Sequence, residues 1–177
     1  MIFADKTLTI STKGSGLLYY SWELSGIRQR PLAGSDDSYL KVRRRFLDRD
    51  GREISGNNFR QNDLVVVEIA VESTGGKMIE NVAVTDLLPA SFEIENSRLV
   101  TERQFTWMKA RSTPEYIDVR DDRISFFTAL TGKTSYFYYT LRVVSQGIFT
   151  LGSVSADAMY NGLFHSSSGS GKVTIRP

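Results

Sequence analysis

The sequence predicts an all-β protein: an antiparallel β-sandwich of the fibronectin type III or immunoglobulin-like kind, with about seven strands. Apolar and polar residues alternate with a period of two along several segments, and turn-forming residues separate those segments. No segment has the three-and-four apolar spacing of an amphipathic helix, and only residues 99–111 suggest a short helical turn.

The two clearest predicted strands cover residues 65–72 and 137–143, where every second residue is large and apolar. Shorter candidates are 7–12, 17–24, 40–47, 82–86, 123–127, 147–151 and 172–175. The core is expected to contain Val65, Val67, Ile69, Val82, Val84, Phe126, Phe137, Tyr139 and Leu141.

Turn residues lie between these segments. Asp48-Arg49-Asp50-Gly51 predicts a hairpin turn, in which Gly51 supplies a positive φ. The same residues resemble the start of a calcium loop, but its twelfth position would be Phe59, which has no carboxylate. We therefore expect a turn and no metal. Residues 73–77 and 131–133 predict two further connections.

A change in composition at 31–38 predicts a linker between strands within about residues 4–30 and a main body. We expect two domains, 1–34 and 35–177. Because two strands alone are unstable in water, the first part must pack on the body or on something absent from this chain.

Composition excludes several classes of function. The 22 basic and 20 acidic residues give a net charge of +2, which provides no support for nucleic-acid binding. The absence of cysteine and the single histidine exclude disulfides, thiolate metal sites and multi-histidine sites, and no cofactor is expected.

Targeting signals are also lacking in the sequence. The longest clear apolar run, 64–67, is far short of the roughly 20 residues of a membrane helix. The N-terminus has no basic region followed by an apolar stretch, so no signal peptide is predicted. A start directly in a strand favours a piece of a longer exported chain over a cytoplasmic protein.

Three features of the predicted strands leave alternatives open. Lys41, Arg43 and Arg45 share one face of a predicted strand. This basic stripe is either a site for an acidic partner or a solvated face or edge guarded against aggregation. Arg44 falls on the apolar face, which indicates a bulge or an arginine partnered across an interface. Aromatic residues over 136–139 point to both faces, either as core plus surface cluster or because another domain covers the strand.

Two polar clusters invite catalytic or binding interpretations. His165 with Ser166–Ser168 suggests a nucleophile, but residues 166–171 predict a flexible Ser/Gly loop, and no orienting acid or nucleophile turn accompanies them. Residues 120–123 (RDDR) contain two adjacent acids, which in a strand would point to opposite faces and could not form a two-carboxylate site. We therefore expect a turn in which the arginines pair locally. No enzyme activity is expected, and a hydrolase is the weakest alternative.

Met159 and Tyr160 stand just before Asn161-Gly162, a strong turn signal. Two large, partly apolar side chains at a loop tip either fold back on the core or cover part of a neighbour.

Six segments together resemble the C-terminal macroglobulin-like domain of bacterial α2-macroglobulins. They are YLKVRRRFLDRDG (39–51), NDLVVVEIAV (62–71), NVAVTDLLPASFEIENSRL (81–99), RDDRISFF (120–127), FYYTLRVV (137–144) and GIFTLGSVSADAMYNG (147–162). GSGLLYYSWELSG (14–26) looks like returning strands of the CUB-like domain of this family. The sequence departs from the family at Gly152, where Pro is usual, and at Asn161-Gly162, where Asp-Pro is usual.

The resemblance implies a non-catalytic domain of a large periplasmic or cell-envelope protein that traps and inhibits proteases. The implied partners are the thioester and CUB-like domains of the same parent chain, and the proteases that the parent traps. Met159 and Tyr160 match the pair that shields the thioester. The alternative, a bacterial surface adhesion or ligand-binding β-sandwich, shares the phrase VTDLLP and needs no partner domain.

Overall fold

Thirteen β-strands and one turn of 3₁₀ helix form the regular structure in the computed structural model, which describes residues 9–21, 34–95, 107–108 and 111–177. The strands are β1 (Asp36–Ser38), β2 (Leu40–Leu47), β3 (Asn58–Arg60), β4 (Leu64–Ser73), β5 (Met78–Leu87), β6 (Phe92–Ile94), β7 (Tyr116–Val119), β8 (Arg123–Thr131), β9 (Ser135–Val143), β10 (Gly147–Leu151), β11 (Val154–Ala158), β12 (His165–Ser168) and β13 (Gly171–Arg176). The 3₁₀ turn covers Ser55–Asn57.

The chain separates into two compact units, Met1–Arg30 and Pro31–Pro177. In the first unit, the described residues 9–21 form no strand, so the predictions over 7–12 and 17–24 fail where the structure describes them. The predicted helical turn at 99–111 lies largely outside the described residues. The predicted linker at 31–38 is wrong over Asp36–Ser38, which forms β1.

The strands of the second unit form three sheets. A six-stranded sheet has the order β1-β12-β11-β5-β8-β7, a four-stranded sheet has the order β2-β4-β9-β6, and β10-β13-β3 form a small third sheet. Pairing is antiparallel except between β13 and β3, which run parallel. The all-β, antiparallel sandwich prediction is confirmed. The expected number of about seven strands is too low, because the short strands β1, β3, β6, β7, β11 and β12, of three to five residues each, are too short to give a clear period-two signal.

The two large sheets enclose one apolar core, to which the inward-facing residues of β2, β4 and β9 and those of β5, β8 and β11 all contribute. Phe126 of β8 stacks on Phe137 of β9 across the layers, with ring centroids 5.0 Å apart. All nine predicted core residues are buried. Since each such side chain contributes about 1.5–3 kcal/mol on burial, this layer is the main source of cohesion.

Part of the outer face of the four-stranded sheet is also covered, and the cover comes from the chain itself. Leu47, Val66 and Tyr138 form a second buried cluster, against which Trp107 and Met108 pack. Tyr138 is therefore buried without another domain. The burial of Tyr138 therefore lends no support to the alternative in which another domain covers this strand.

The hairpin after β2 is the turn that the sequence predicts. Asp48 Oδ1 accepts hydrogen bonds from the main-chain N–H groups of Asp50 and Arg52, each at 2.9 Å. Gly51 has a φ of +80°, and the Trp107 ring lies over it. A β-carbon at Gly51 would lie 2.5 Å from Trp107 Cδ2, so both backbone conformation and space require glycine.

We expect Gly51→Ala to lower the free energy of unfolding by about 1–3 kcal/mol, because it combines left-handed strain with displacement of Trp107. Gly75→Ala is the matched control, since Gly75 has open space around it and no left-handed φ. Urea denaturation of the three proteins measures both effects. Equal stability of the two variants would contradict the interpretation of the turn.

Candidate functional site

Residues 159–163 lie in the connection between β11 and β12 and form two successive turns. Asn161 N–H donates to Ala158 O (3.1 Å), and Phe164 N–H donates to Asn161 O (3.0 Å). The Asn161 side-chain oxygen accepts from Leu163 N–H at 3.2 Å. The predicted Asn-Gly turn is therefore present, although neither Asn161 nor Gly162 has a positive φ. We refer to residues 159–163 as the 159–163 loop.

Three large apolar side chains of this loop are exposed. Met159 is 53% exposed, Tyr160 83% and Leu163 67%. Met159 and Tyr160 do not fold back into the core, which removes that alternative for this chain. Leu163 was missed at the sequence level, where the only signal was a leucine directly after a turn.

One limb of the 159–163 loop is fixed to β5. Met159 N–H donates to Asn81 O at 3.0 Å. Asn81 has a φ of +55° and lies in a register shift between Ile79 and Val82, where β5 pairs with β8. Asparagine tolerates the left-handed region better than most residues. At this bulge the Asn81 carbonyl is available to the Met159 N–H.

The other limb is fixed to the chain where it crosses between the two sheets. Ser38 Oγ donates to Leu163 O at 2.7 Å, and the ring centroids of Tyr39 and Phe164 lie 5.1 Å apart. Tyr39 has a φ of +58° and connects β1 of the six-stranded sheet to β2 of the four-stranded sheet. Left-handed backbone in a bulky residue costs about 1–3 kcal/mol, so surrounding contacts must hold it.

The serine run after His165 is structural. Ser166 Oγ donates to Asp37 Oδ1 (2.7 Å) and accepts from Val42 N–H (2.9 Å). Ser168 Oγ donates to Val42 O at 2.8 Å. These hydroxyls satisfy both main-chain groups of Val42 on the edge strand β2. The prediction of a flexible loop over 166–171 is therefore wrong for residues 166–168, which belong to β12, and for Gly171, which begins β13.

His165 takes no part in a nucleophilic arrangement with these serines. Its Nδ1 lies 3.1 Å from Gly162 O, and its Nε2 lies 4.0 Å from Asp36 Oδ1. Adjacent residues of a strand face opposite sides, so the His165 ring and the Ser166 hydroxyl point away from each other.

The basic stripe on β2 is paired with acids of the same chain. Lys41 Nζ lies 3.4 Å from Glu72, Arg43 Nη1 donates to Asp37 at 2.9 Å, and Arg45 Nε donates to Glu68 at 3.0 Å. The Arg43 guanidinium and the Ser166 hydroxyl both donate hydrogen bonds to the Asp37 carboxylate. Arg43 has the larger effect, and together they hold the pKa of Asp37 below its ordinary value despite partial burial. Pairing of all three cations within the chain favours a solvated, guarded face over a site for an acidic partner.

Arg44 lies in the interior and pairs with a residue of the other large sheet. Of the two alternatives for an arginine on the apolar face, a bulge or a partner across an interface, the second is present. Its guanidinium pairs with Asp86 of β5, and the two side chains are 2% and 0% exposed. Tyr139 OH of β9 donates to Asp86 Oδ2 at 2.6 Å. Arg44 Nη2 also donates to Gly152 O (2.9 Å) and Gly169 O (2.6 Å).

Burial sets the ionisation of this cluster. Complete burial raises the pKa of Asp86, while the charge of Arg44 and the hydrogen bonds from Tyr139 and Arg44 oppose that rise. Burial, followed by the neighbouring Asp86 carboxylate, holds the pKa of Tyr139 well above its ordinary value. Tyr139 therefore remains a donor through the physiological range.

Gly152 is required by a close approach. A β-carbon there would lie 2.3 Å from Leu87 Cβ, and the Gly152 carbonyl accepts from Arg44. The family usually has proline at this position, and the glycine of this chain fits the close contact with Leu87.

Other polar clusters of the described residues are local. Arg120 pairs with Asp118 (3.0 Å) and Arg123 with Asp122 (3.3 Å), in the turn between β7 and β8 that the sequence predicts. Across residues 9–21, 34–95, 107–108 and 111–177, no group of three or more His, Cys, Asp or Glu side chains is arranged to hold a metal ion. In the same residues, no helix has the length and apolar character needed to cross a membrane.

Comparison with known proteins decides the family. The family described as "Bacterial Alpha-2-macroglobulin MG10 domain" matches residues 40–162. The chain belongs to the bacterial alpha-2-macroglobulin family. An alpha-2-macroglobulin from Rickettsia conorii is 30% identical over 125 residues, covering 69% of this chain and 6% of that protein. One from Xylella fastidiosa is 31% identical over 160 residues, covering 84% of this chain and 10% of that protein.

Solved structures of alpha-2-macroglobulins have the same fold. A mutant of the Salmonella protein superposes with a TM-score of 0.72 at 26% identity, covering 83% of this chain and 10% of that one. The native E. coli protein gives a TM-score of 0.74 at 22% identity, covering 86% of this chain and 10% of that one. This chain therefore spans a tenth or less of the length of these alpha-2-macroglobulins. The adhesion-module alternative receives no support from these matches.

We expect Asp86→Asn to lower the free energy of unfolding by about 3–5 kcal/mol, because it leaves the buried Arg44 charge uncompensated. Arg43→Met is the matched control: it breaks a partly exposed pair and should cost about 0–1 kcal/mol. Urea denaturation at neutral pH measures both. Similar losses in the two variants would show that the buried pair does not govern stability.

We expect Asp37→Asn to be destabilised relative to the unsubstituted chain, by about 1 kcal/mol or less because the pair is partly exposed. The folded-state pKa of Asp37 is lowered, so its contribution is fully present above the unfolded value and is lost as pH falls through the folded value. The deficit of Asp37→Asn should therefore shrink below about pH 4. Denaturation curves on both sides of that pH provide the check, and a deficit that grows on acidification would contradict it.

Proposed function

We propose that this chain is a non-catalytic C-terminal part of a bacterial alpha-2-macroglobulin that docks on a thioester domain of the same parent and shields its thioester. The observation that carries this proposal is the exposure of Met159 and Tyr160 on a loop whose main chain is fixed at both limbs. An exposed aromatic and an exposed thioether on a fixed loop are suited to filling a pocket on a neighbour.

The chemistry of the partner explains why such residues would be needed. A thioester persists only where water and amines are excluded, and displacement of an apolar plug is enough to expose it. Met159 adapts to an irregular cavity, while Tyr160 supplies a large rigid face. A rigid-body movement of the sandwich would then open the site, as a population shift between docked and undocked states.

The wider setting is part of the same proposal. The parent is a protease inhibitor of the periplasm or cell envelope, and its partners are the proteases that it traps and its own thioester and CUB-like domains. Residues 1–34 belong to the CUB-like domain and 35–177 to the macroglobulin-like domain. The chain itself carries no catalytic residues and acts by contact.

We expect Met159→Ala combined with Tyr160→Ala to accelerate inactivation by methylamine several-fold in a full-length parent that carries a thioester, because the plug is truncated. The release of free thiol measures the rate. The matched control is Tyr116→Ala with Ile148→Ala, two apolar residues that are 62% and 69% exposed and lie on β7 and β10, away from the 159–163 loop. An unchanged rate in the Met159 and Tyr160 variant, or equal acceleration in the control, would remove the shielding role.

A further inference from the structure

Leu163 is an exposed leucine whose backbone is held on both sides. Its carbonyl accepts from Ser38 Oγ at 2.7 Å, and its N–H donates to Asn161 Oδ1 at 3.2 Å. The side chain nevertheless stays 67% exposed. Single exposed apolar residues need no explanation, but Met159, Tyr160 and Leu163 place three within five positions.

We infer that Leu163 is a third docking residue of the surface formed by Met159 and Tyr160, and that Ser38 and Tyr39 are positioning residues that hold it in place. The inference rests on the proposed function and commits to the same occupant, an apolar pocket of the thioester domain in the parent chain. The chain spans a tenth or less of the length of its relatives, so most of a parent of that length lies outside it.

The charge distribution of the 159–163 loop fits an apolar occupant. From Ala158 to Phe164 the sequence contains no charged side chain, and charges return only at Asp157 and, when protonated, at His165. A surface meant for a polar partner, or for solvent alone, would not need three large apolar groups without a charge between them. An uncharged, apolar surface matches a pocket from which water is excluded.

Ser38 and Tyr39 are placed to control this loop from the crossing between β1 and β2. The Tyr39 ring packs on Phe164, and Tyr39 O accepts from Thr74 N–H at 3.0 Å. Ser38 pairs with His165 in the ladder of β1 and β12. Both residues follow directly from Asp36 and Asp37 of β1, which pairs with β12. One hydrogen bond and one ring contact therefore add to the β1–β12 ladder in holding the 159–163 loop.

Hydrogen exchange tests the docking role of Leu163 without requiring a thioester. In the full-length parent, amides of residues 158–164 should be more protected than in this 177-residue chain. Leu163→Ala in the parent should reduce that protection several-fold, and Ile148→Ala, equally exposed on β10, should not. Equal protection in parent and chain, or no effect of Leu163→Ala in a parent of unchanged thermal stability, would overturn the docking role.

Exchange in this chain tests the positioning residues separately. Tyr39→Asn removes the ring but keeps a residue that tolerates the left-handed backbone, whereas Tyr39→Phe keeps the ring. We expect faster exchange over 158–164 in Tyr39→Asn and in Ser38→Ala, with the rest of the sandwich unchanged, and no change in Tyr39→Phe. Unchanged loop exchange in the first two variants would overturn the positioning role.

The outcomes separate this inference from the proposed function. If the Met159 and Tyr160 variant leaves the methylamine rate unchanged while Leu163→Ala reduces protection in the parent, the loop docks but does not shield a thioester. If the methylamine rate rises while Leu163→Ala changes nothing, shielding stands and the third docking residue is wrong.

Discussion

The buried pair of Arg44 and Asp86 is the constraint on which the rest of the structure depends. A charge removed from water must be matched by an opposite charge and by hydrogen bonds at nearly every remaining polar position. Here Asp86, Tyr139 and the carbonyls of Gly152 and Gly169 meet that requirement, and they come from four different parts of the chain. A slip of β2 by one residue would turn Arg44 outward and leave the buried Asp86 without its cationic partner, so the pair helps to fix the register of β2.

This fixed interior contrasts with the surface that projects from it. Asp86 pairs with Val154 at one end of β11, and Ala158 pairs with Val82 at the other end, just before Met159. β5 and β11 thus run as a continuous ladder from the buried ion pair to the 159–163 loop. Within that loop the main-chain groups of Asn161 and Leu163 are satisfied inside the unit. The exposed side chains therefore stand on a base that does not rely on a partner for its own structure.

The alternation of apolar residues was enough to predict the fold class and the core, because burial acts on every second residue of a long strand. The Asp48 turn was predicted from its aspartate and glycine residues. It also marked Arg44 as anomalous by its position on the apolar face. It could not identify Asp86 as the partner, since the contact spans 42 positions along the chain and depends on how two sheets stack. The short strands β1 and β12 escaped prediction for a related reason. Their sequences, DDS and HSSS, have no apolar period, and their strand conformation comes from edge hydrogen bonds to neighbours.

The nature of the contacts explains how one domain could be both a stable scaffold and a releasable cover. Interactions inside the sandwich include charged hydrogen bonds with fixed directions, which resist partial movement. The surface formed by Met159, Tyr160 and Leu163 offers mainly apolar contact, which has no directional requirement, and the main-chain groups of Asn161 and Leu163 keep their partners inside the unit on separation. In the proposed docking, release of such a surface would cost the apolar area that becomes exposed and little else, and the sandwich would leave its partner as a rigid body. A cover held by buried ion pairs would need those charges to find new partners at each opening.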